Sequence, residues 1–156
     1  MSTTDVSITD YKPEHKQRYI EINEAWIKKD YEMEPLDVQE LHNPEEFILK
    51  GGGAIIVAVL GEMVIGTCAL INNGDGVYEM VKMGVDETYR GYGTGRKLCE
   101  GIIEKAKTMG AVKIILYSNT VHAGRAVELY RKYGFYEVPL GETDWDRADI
   151  KMELAL

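Results

Sequence analysis

Apolar positions along this chain follow two rhythms, an alternation typical of strands and a longer period typical of helices. Ala54 to Leu60 and Met63 to Ile71 are dense in Val and Ile, and Gly61-Glu62 between them predicts a tight hairpin turn. Asn72-Asn73-Gly74-Asp75-Gly76 predicts a second turn, leading into a strand from Val77 to Val85. Three strands joined in this way make an antiparallel meander. Upstream, Val6 to Asp10 predicts a short strand. Pro13 to Lys29 predicts a helix carrying Tyr19, Ile20, Ile22, Trp26 and Ile27. Asp30 to Asp37 reads as a loop punctuated by Pro35. Asn43-Pro44-Glu45-Glu46 predicts a helix start capped by Asn43, and Gly51-Gly52-Gly53 ends it.

Past Val85 the period lengthens. Leu98, Ile102, Ala106 and Met109 share one face of a helix predicted from about Gly93 to Met109. Val112 to Tyr117 predicts a strand reached through that helix, a crossover requiring parallel pairing with, or divergence from, the strand before it. A second helix is predicted from Ala123 to Lys132, ended by Tyr133-Gly134. Strands at Phe135 to Val138 and Asp149 to Leu154 flank a polar loop, Gly141 to Arg147. The pattern predicts one α/β domain over residues 1–156, with a mixed, mostly antiparallel sheet of about seven strands. It shows no internal repeat or linker.

Net charge is −8, from 18 basic and 26 acidic side chains. That balance disfavours nucleic acid or an anionic membrane as a partner and tolerates a cationic substrate. Cys68 and Cys99 have no CxxC spacing and read as reduced, buried thiols. His15, His42 and His122 lie far apart and form no metal-ligand pattern, so no metal is expected. No apolar run approaches the ~20 residues needed to span a bilayer, and the N-terminus is polar. The cytoplasm is the expected compartment.

The chemistry is concentrated between Glu79 and Leu98. There a strand passes through Arg90-Gly91-Tyr92-Gly93-Thr94-Gly95-Arg96 into a helix. Unpaired amides at a helix start carry partial positive charge and bind phosphate oxygens. Glycines let the backbone approach such a ligand. A dinucleotide fingerprint fails, because Arg96 stands where its third glycine belongs and the next strand ends in Ser118-Asn119 rather than an acid. A P-loop fails as well, since Arg96 occupies the place of its second glycine, five residues after Gly91.

The R-x-x-G-x-G turn resembles the acetyl-CoA turn of the GNAT (Gcn5-related N-acetyltransferase) superfamily. A second segment, Ala126-Val-Glu-Leu129-Tyr130-Arg-Lys132-Tyr-Gly134-Phe135, resembles that family's A-x-x-L-Y-x-K-x-G-F helix. The resemblance covers roughly Ala54 to Phe135, with both motifs in the family's order and spacing. One departure is Ala123, where many members carry Asn three residues before the alanine of the second motif. The resemblance implies a sheet splayed after the fourth strand with helices on both faces. It implies acetyl-CoA as co-substrate and direct transfer to the primary amine of a small molecule or peptide in a ternary complex. A homodimer through exposed strands or helices comes with it as an expectation.

The resemblance also distributes roles. Glu79 is the base for the attacking ammonium, or else a solvated strand carboxylate. Tyr130 is the acid for the departing thiolate, or else a core tyrosine. The amides of Gly91, Tyr92, Gly93, Thr94, Gly95 and Arg96 take the pyrophosphate. Backbone groups of Met83, Gly84 and Val85 extend the sheet with the pantetheine arm. Arg90, Arg96, Lys97 and Lys132 suit outer phosphates, and Asn119 either caps the following helix or meets the pantetheine. Trp26, Tyr31 and Glu34, beside Glu32 and Met33, suit a cationic acceptor. Tyr11, Tyr78, Tyr92, Tyr117 and Tyr133 read as packing. The rival readings are a non-catalytic acyl-CoA sensor, an interaction module on the same scaffold, and transfer of a longer acyl chain.

Overall fold

Two helical layers enclose a seven-stranded sheet in the computed structural model, which describes residues 5–156. The first four residues, part of the polar N-terminal stretch, lie outside it. The strands are β1 (Val6–Asp10), β2 (Ala54–Leu60), β3 (Met63–Asn72), β4 (Val77–Val85), β5 (Lys113–Ser118), β6 (Tyr136–Val138) and β7 (Ile150–Ala155). Their order in the sheet is β1-β2-β3-β4-β5-β7-β6. Pairing is antiparallel throughout except between β4 and β5, which are parallel. The helices are α1 (Lys16–Asp30), α2 (Pro35–His42), α3 (Thr94–Thr108) and α4 (Gly124–Lys132).

Alternation along the strands sorts the core by face. Ile56 and Ala58 of β2 face α3 and α4, together with Cys68, Leu98, Ile102, Val127 and Tyr130. Ile55 of β2, with Ala69 and Val81, faces the opposite side, with Tyr19 and Ile27 of α1 and Leu41 of α2. Cys68 and Cys99 are free and buried, as the sequence reading expects.

Two local expectations need correction. The segment read as a loop up to Asp37 is helical from Pro35, because proline suits the first helical position. The Glu34 amide donates to the Asp37 carboxylate at 2.9 Å, which ties down that helix start. Asn43, read as the cap of the next helix, instead closes α2, its amide donating to the Gln39 carbonyl at 3.0 Å. The turn that follows is a single π-helical turn, Glu45–Leu49.

A bulge in β4 positions the functional region. Val81 pairs with Ala69 and Gly84 with Thr67, so Lys82 and Met83 together stand opposite the one residue Cys68. Lys82 takes a left-handed φ of 54°, which a lysine adopts only when its surroundings hold it there. A buried relay does so. The Trp26 indole donates to Asn23, the Asn23 amide donates to Thr67, and the Thr67 hydroxyl donates to the Lys82 carbonyl, each at 2.8–2.9 Å. Pairing with β5 runs only from Val77 to Met80. From Val81 onward the β5 side of β4 is open, the splay that the resemblance implies.

Candidate active site

The glycine-rich turn closes onto α3 through two residues with positive φ, Gly91 at 90° and Gly93 at 70°. Gly93 is the residue before the helix, and the first turn holds no acidic side chain to occupy the free amides. Thr94 is buried and its hydroxyl has no hydrogen-bond partner among the described residues. A cleft of about 740 Å³ lies over this turn. It is walled by Met83, Gly84 and Val85 on the open edge of β4, by Arg90 to Arg96, and by Arg125, Ala126, Leu129 and Lys132 of α4. An orphaned hydroxyl, free helix amides and a free strand edge in one cleft fit a ligand with a diphosphate at one end and amides along its arm.

Not every predicted cation is free for it. The Lys97 ammonium donates to the Val6 carbonyl at 3.0 Å, and Arg90 pairs with Glu87 at 3.1 Å. Arg125 lines the cleft although neither motif singled it out. Asn119 is spent locally: its oxygen accepts from the amides of Val121 and His122 at 2.9 Å, and its nitrogen donates to the Arg147 carbonyl.

Where β4 and β5 part, a second cavity of about 90 Å³ is bounded by Trp26, Tyr31, Glu79, Lys82, Trp145 and Arg147. Gly84 lets Trp26 lie on the strand, since a Cβ there would stand 2.7 Å from its ring. Glu79 is half-buried and accepts a hydrogen bond from the Trp145 indole at 3.0 Å. Burial pushes its carboxyl above the ordinary range, against the opposing pull of Trp145, Asn73 and Lys82. Tyr130 packs in the core, 5.8 Å from the Phe135 ring. Burial, with Cys68 and Cys99 adjacent, drives its hydroxyl pKa far up, so it stays protonated. It lines neither of these cavities.

The sequence reading missed the charged floor of this cavity. Asp37 is fully buried. It accepts from the Lys82 ammonium at 2.7 Å and from both ends of the Arg147 guanidinium at 2.7 and 2.9 Å. Burial would raise its pKa, but Arg147 and Lys82 hold it down to about 2. Lys82 also stands 3.0 Å from Glu40. Both cations lie near the Trp145 ring, Lys82 at 4.5 Å and Arg147 at 4.8 Å from its centroid. Glu34 does not line the cavity. It pairs with Arg147 at 3.1 Å and accepts from the Asp146 amide, anchoring the loop before β7. Tyr117, read as packing, lines the cavity wall.

A phosphate-sized helix terminus beside a splayed sheet and a perturbed carboxylate defines an acyltransferase-like class of site. The chain belongs to the acetyltransferase (GNAT) family, whose model matches residues 13–135. That match begins well before Ala54, where the motif resemblance starts. The chain is similar to an "IAA acetyltransferase" of Azospirillum brasilense, 33% identical over 123 residues that span 78% of this chain and 75% of that protein. It shares its fold with a GNAT-family acetyltransferase from Staphylococcus aureus Mu50 at 24% identity and a TM-score of 0.85, over 96% of this chain and 98% of that one. An aminoglycoside 6'-N-acetyltransferase solved with coenzyme A shares the fold at 15% identity and a TM-score of 0.73, over 96% of each chain. Among the described residues no helix is long and apolar enough to cross a membrane, and no group of three or more His, Cys, Asp or Glu side chains is placed to hold a metal ion.

Proposed function

We propose that the protein transfers an acetyl group from acetyl-CoA to the primary amine of a small molecule or peptide, by direct attack in a ternary complex. The observation that carries this is the placement of Glu79, half-buried with its pKa raised, at the point where β4 leaves β5. A base there shares its cavity with the aromatic rings of Trp26, Tyr31, Tyr117 and Trp145.

When bound, acetyl-CoA supplies an acyl group activated as a thioester. The amides from Gly91 to Arg96, with the Thr94 hydroxyl, hold its diphosphate. Arg96, Arg125 and Lys132 serve the outer phosphate. The open edge of β4 from Met83 to Val85 binds the amides of the arm. Glu79 takes the proton of the attacking ammonium, directly or through water. The new N–C bond forms as the C–S bond breaks, and the second proton of the amine nitrogen leaves to solvent. The departing sulfur takes up a proton, for which the family resemblance names Tyr130 of α4 although its ring packs in the core. Both thiols are buried, with pKa values pushed up, which supports direct transfer over a cysteine-bound intermediate.

Calorimetry with coenzyme A, followed by thiol release across a panel of amines, tests the reading. Tyr130→Phe is expected to lower kcat by roughly ten- to a thousandfold while keeping coenzyme A affinity, and Glu79→Gln to lower kcat/KM by a similar order. Unchanged turnover in both variants would remove this mechanism. Tight coenzyme A binding with no release from any amine would assign the protein to the sensor reading.

A further inference from the structure

Glu79, Tyr117 and Trp145 line a third space as well, an open cleft of about 800 Å³. Its charged lining is of one sign. Glu40, Glu79, Glu142 and Asp144 contribute four carboxylates, and no lysine, arginine or histidine lines it. Leu36, Phe47 and Ile71 supply apolar wall between them. Phe47 is 43% exposed, unusual for a ring with no partner covering it. The cofactor cleft is the opposite, with Arg90, Arg96, Arg125 and Lys132 against Glu87 and Glu128.

Two further observations bear on what the acidic cleft takes. Glu40 is 2% exposed and its Oε1 is paired with the Lys82 ammonium at 3.0 Å. The uncompensated negative charge of the cleft therefore rests on Glu79, Glu142 and Asp144. The carboxylates are also spread out: among the described residues no three acidic side chains converge closely enough to hold one metal ion. Negative charge distributed along an apolar-walled groove matches positive charge distributed along an aliphatic chain better than it matches one compact cation.

We infer that this cleft is the acceptor site, and that the acceptor is an aliphatic di- or polyamine whose reacting nitrogen reaches Glu79 while a second ammonium group lies by Glu142 and Asp144. This rests on the amine-acetyltransferase reading above and names its substrate class. The apolar walls take the methylene chain, and Phe47 covers it. The distal ammonium keeps its charge, so its role is binding and alignment. The reacting nitrogen gives its proton to Glu79.

The test compares hexamethylenediamine with hexylamine, equal in chain length and different only in the distal charge. The diamine is expected to show a kcat/KM higher on the order of tenfold at low salt, a gap that narrows as ionic strength rises. In the double variant Glu142→Gln, Asp144→Asn the ratio between the two amines is expected to fall to about one. The ratio is the readout because Asp144 also acts on the Glu79 carboxyl, an effect common to both amines. Calorimetric titration of hexamethylenediamine into the coenzyme A-saturated protein reads the same site without turnover. Binding that weakens in the double variant supports the inference even if no acetyl transfer is seen, an outcome that would sink the enzymatic reading alone. Acetyl transfer that does not distinguish the two amines, or diamine binding that is indifferent to the double variant, overturns the inference and leaves the enzymatic reading standing.

Discussion

At the scale of single residues, Trp145 does more than pack. Its indole donates to Glu79 while its ring lies close to both Lys82 and Arg147. A hydrogen bond to a carboxylate favours the charged form, so this contact opposes the rise that burial imposes on Glu79. Removing the donor must therefore move the Glu79 pKa further up. As the proposed base, Glu79 would be active only when deprotonated, so kcat/KM is expected to climb as pH rises through that pKa. Trp145→Phe is expected to shift this acid limb to higher pH, and a pH profile of kcat/KM under subsaturating amine measures it. A limb that stays in place would mean that the ascending arm belongs to another group. Glu79 was legible in the sequence because its strand neighbours are apolar and its place matches the family's pattern. Trp145 and Arg147 were not, because they lie in a polar loop 66 or more residues from their partners in β4 and α2. Spacing along the chain carries no record of that convergence. An indole and a guanidinium in an otherwise small, polar loop were the one available signal.

At the scale of elements, β4 shows how a strained turn is kept. The left-handed Lys82 is pinned at its carbonyl by Thr67 and at its ammonium by Asp37. Thr67→Val keeps the shape but deletes the donor. It leaves the Lys82 carbonyl without its partner and removes one of the two hydrogen bonds donated by the Asn23 amide, which keeps the one to the Tyr19 carbonyl, a cost of about 1–3 kcal/mol. The expected result is a Tm lower by roughly 2–4 °C per kcal/mol. Weaker coenzyme A binding should accompany it, since the bulge sets the free edge of β4. Unfolding scans and calorimetry read the two effects separately, and a loss of stability with unchanged affinity would uncouple bulge and cleft. Strands β2 and β3 were legible because each is dense in Val and Ile and bounded by glycine turns. Helix α2 was not, for two physical reasons. Pro35 signals a break in the middle of a helix but a start at its first turn. The inner face of α2 also buries Asp37 and Glu40 beside Leu41, and a hydrophobic pattern assigns such charged positions to solvent.

For the whole molecule, the buried charges join parts that the sheet alone does not. Asp37 comes from α2 on one side of the sheet, Lys82 from the central strand, and Arg147 from the loop before the last strand. Together with Glu34 and Glu40 they form one connected group of charges. Buried ion pairs stabilise little relative to apolar packing, yet losing one partner leaves the others stranded. Asp37→Ala is accordingly expected to cost about 3–5 kcal/mol. The same group makes stability depend on acid. Its folded-state pKa is held near 2 against an ordinary 3.8. The stability it confers is therefore complete above about pH 4 and fades as pH falls toward 2. Glu40 and Glu79 act in the opposite direction, because their raised pKa values make the folded protein hold protons that the unfolded chain releases. An isosteric Asp37→Asn variant removes the first effect and keeps the second. Urea unfolding at a series of pH values should show the gap in stability between wild type and this variant closing as pH drops through the window from 3.8 to about 2. A gap that is constant across that window would mean that Asp37 is not ionised where Lys82 and Arg147 meet it, and that the floor of the site is held by packing rather than by charge.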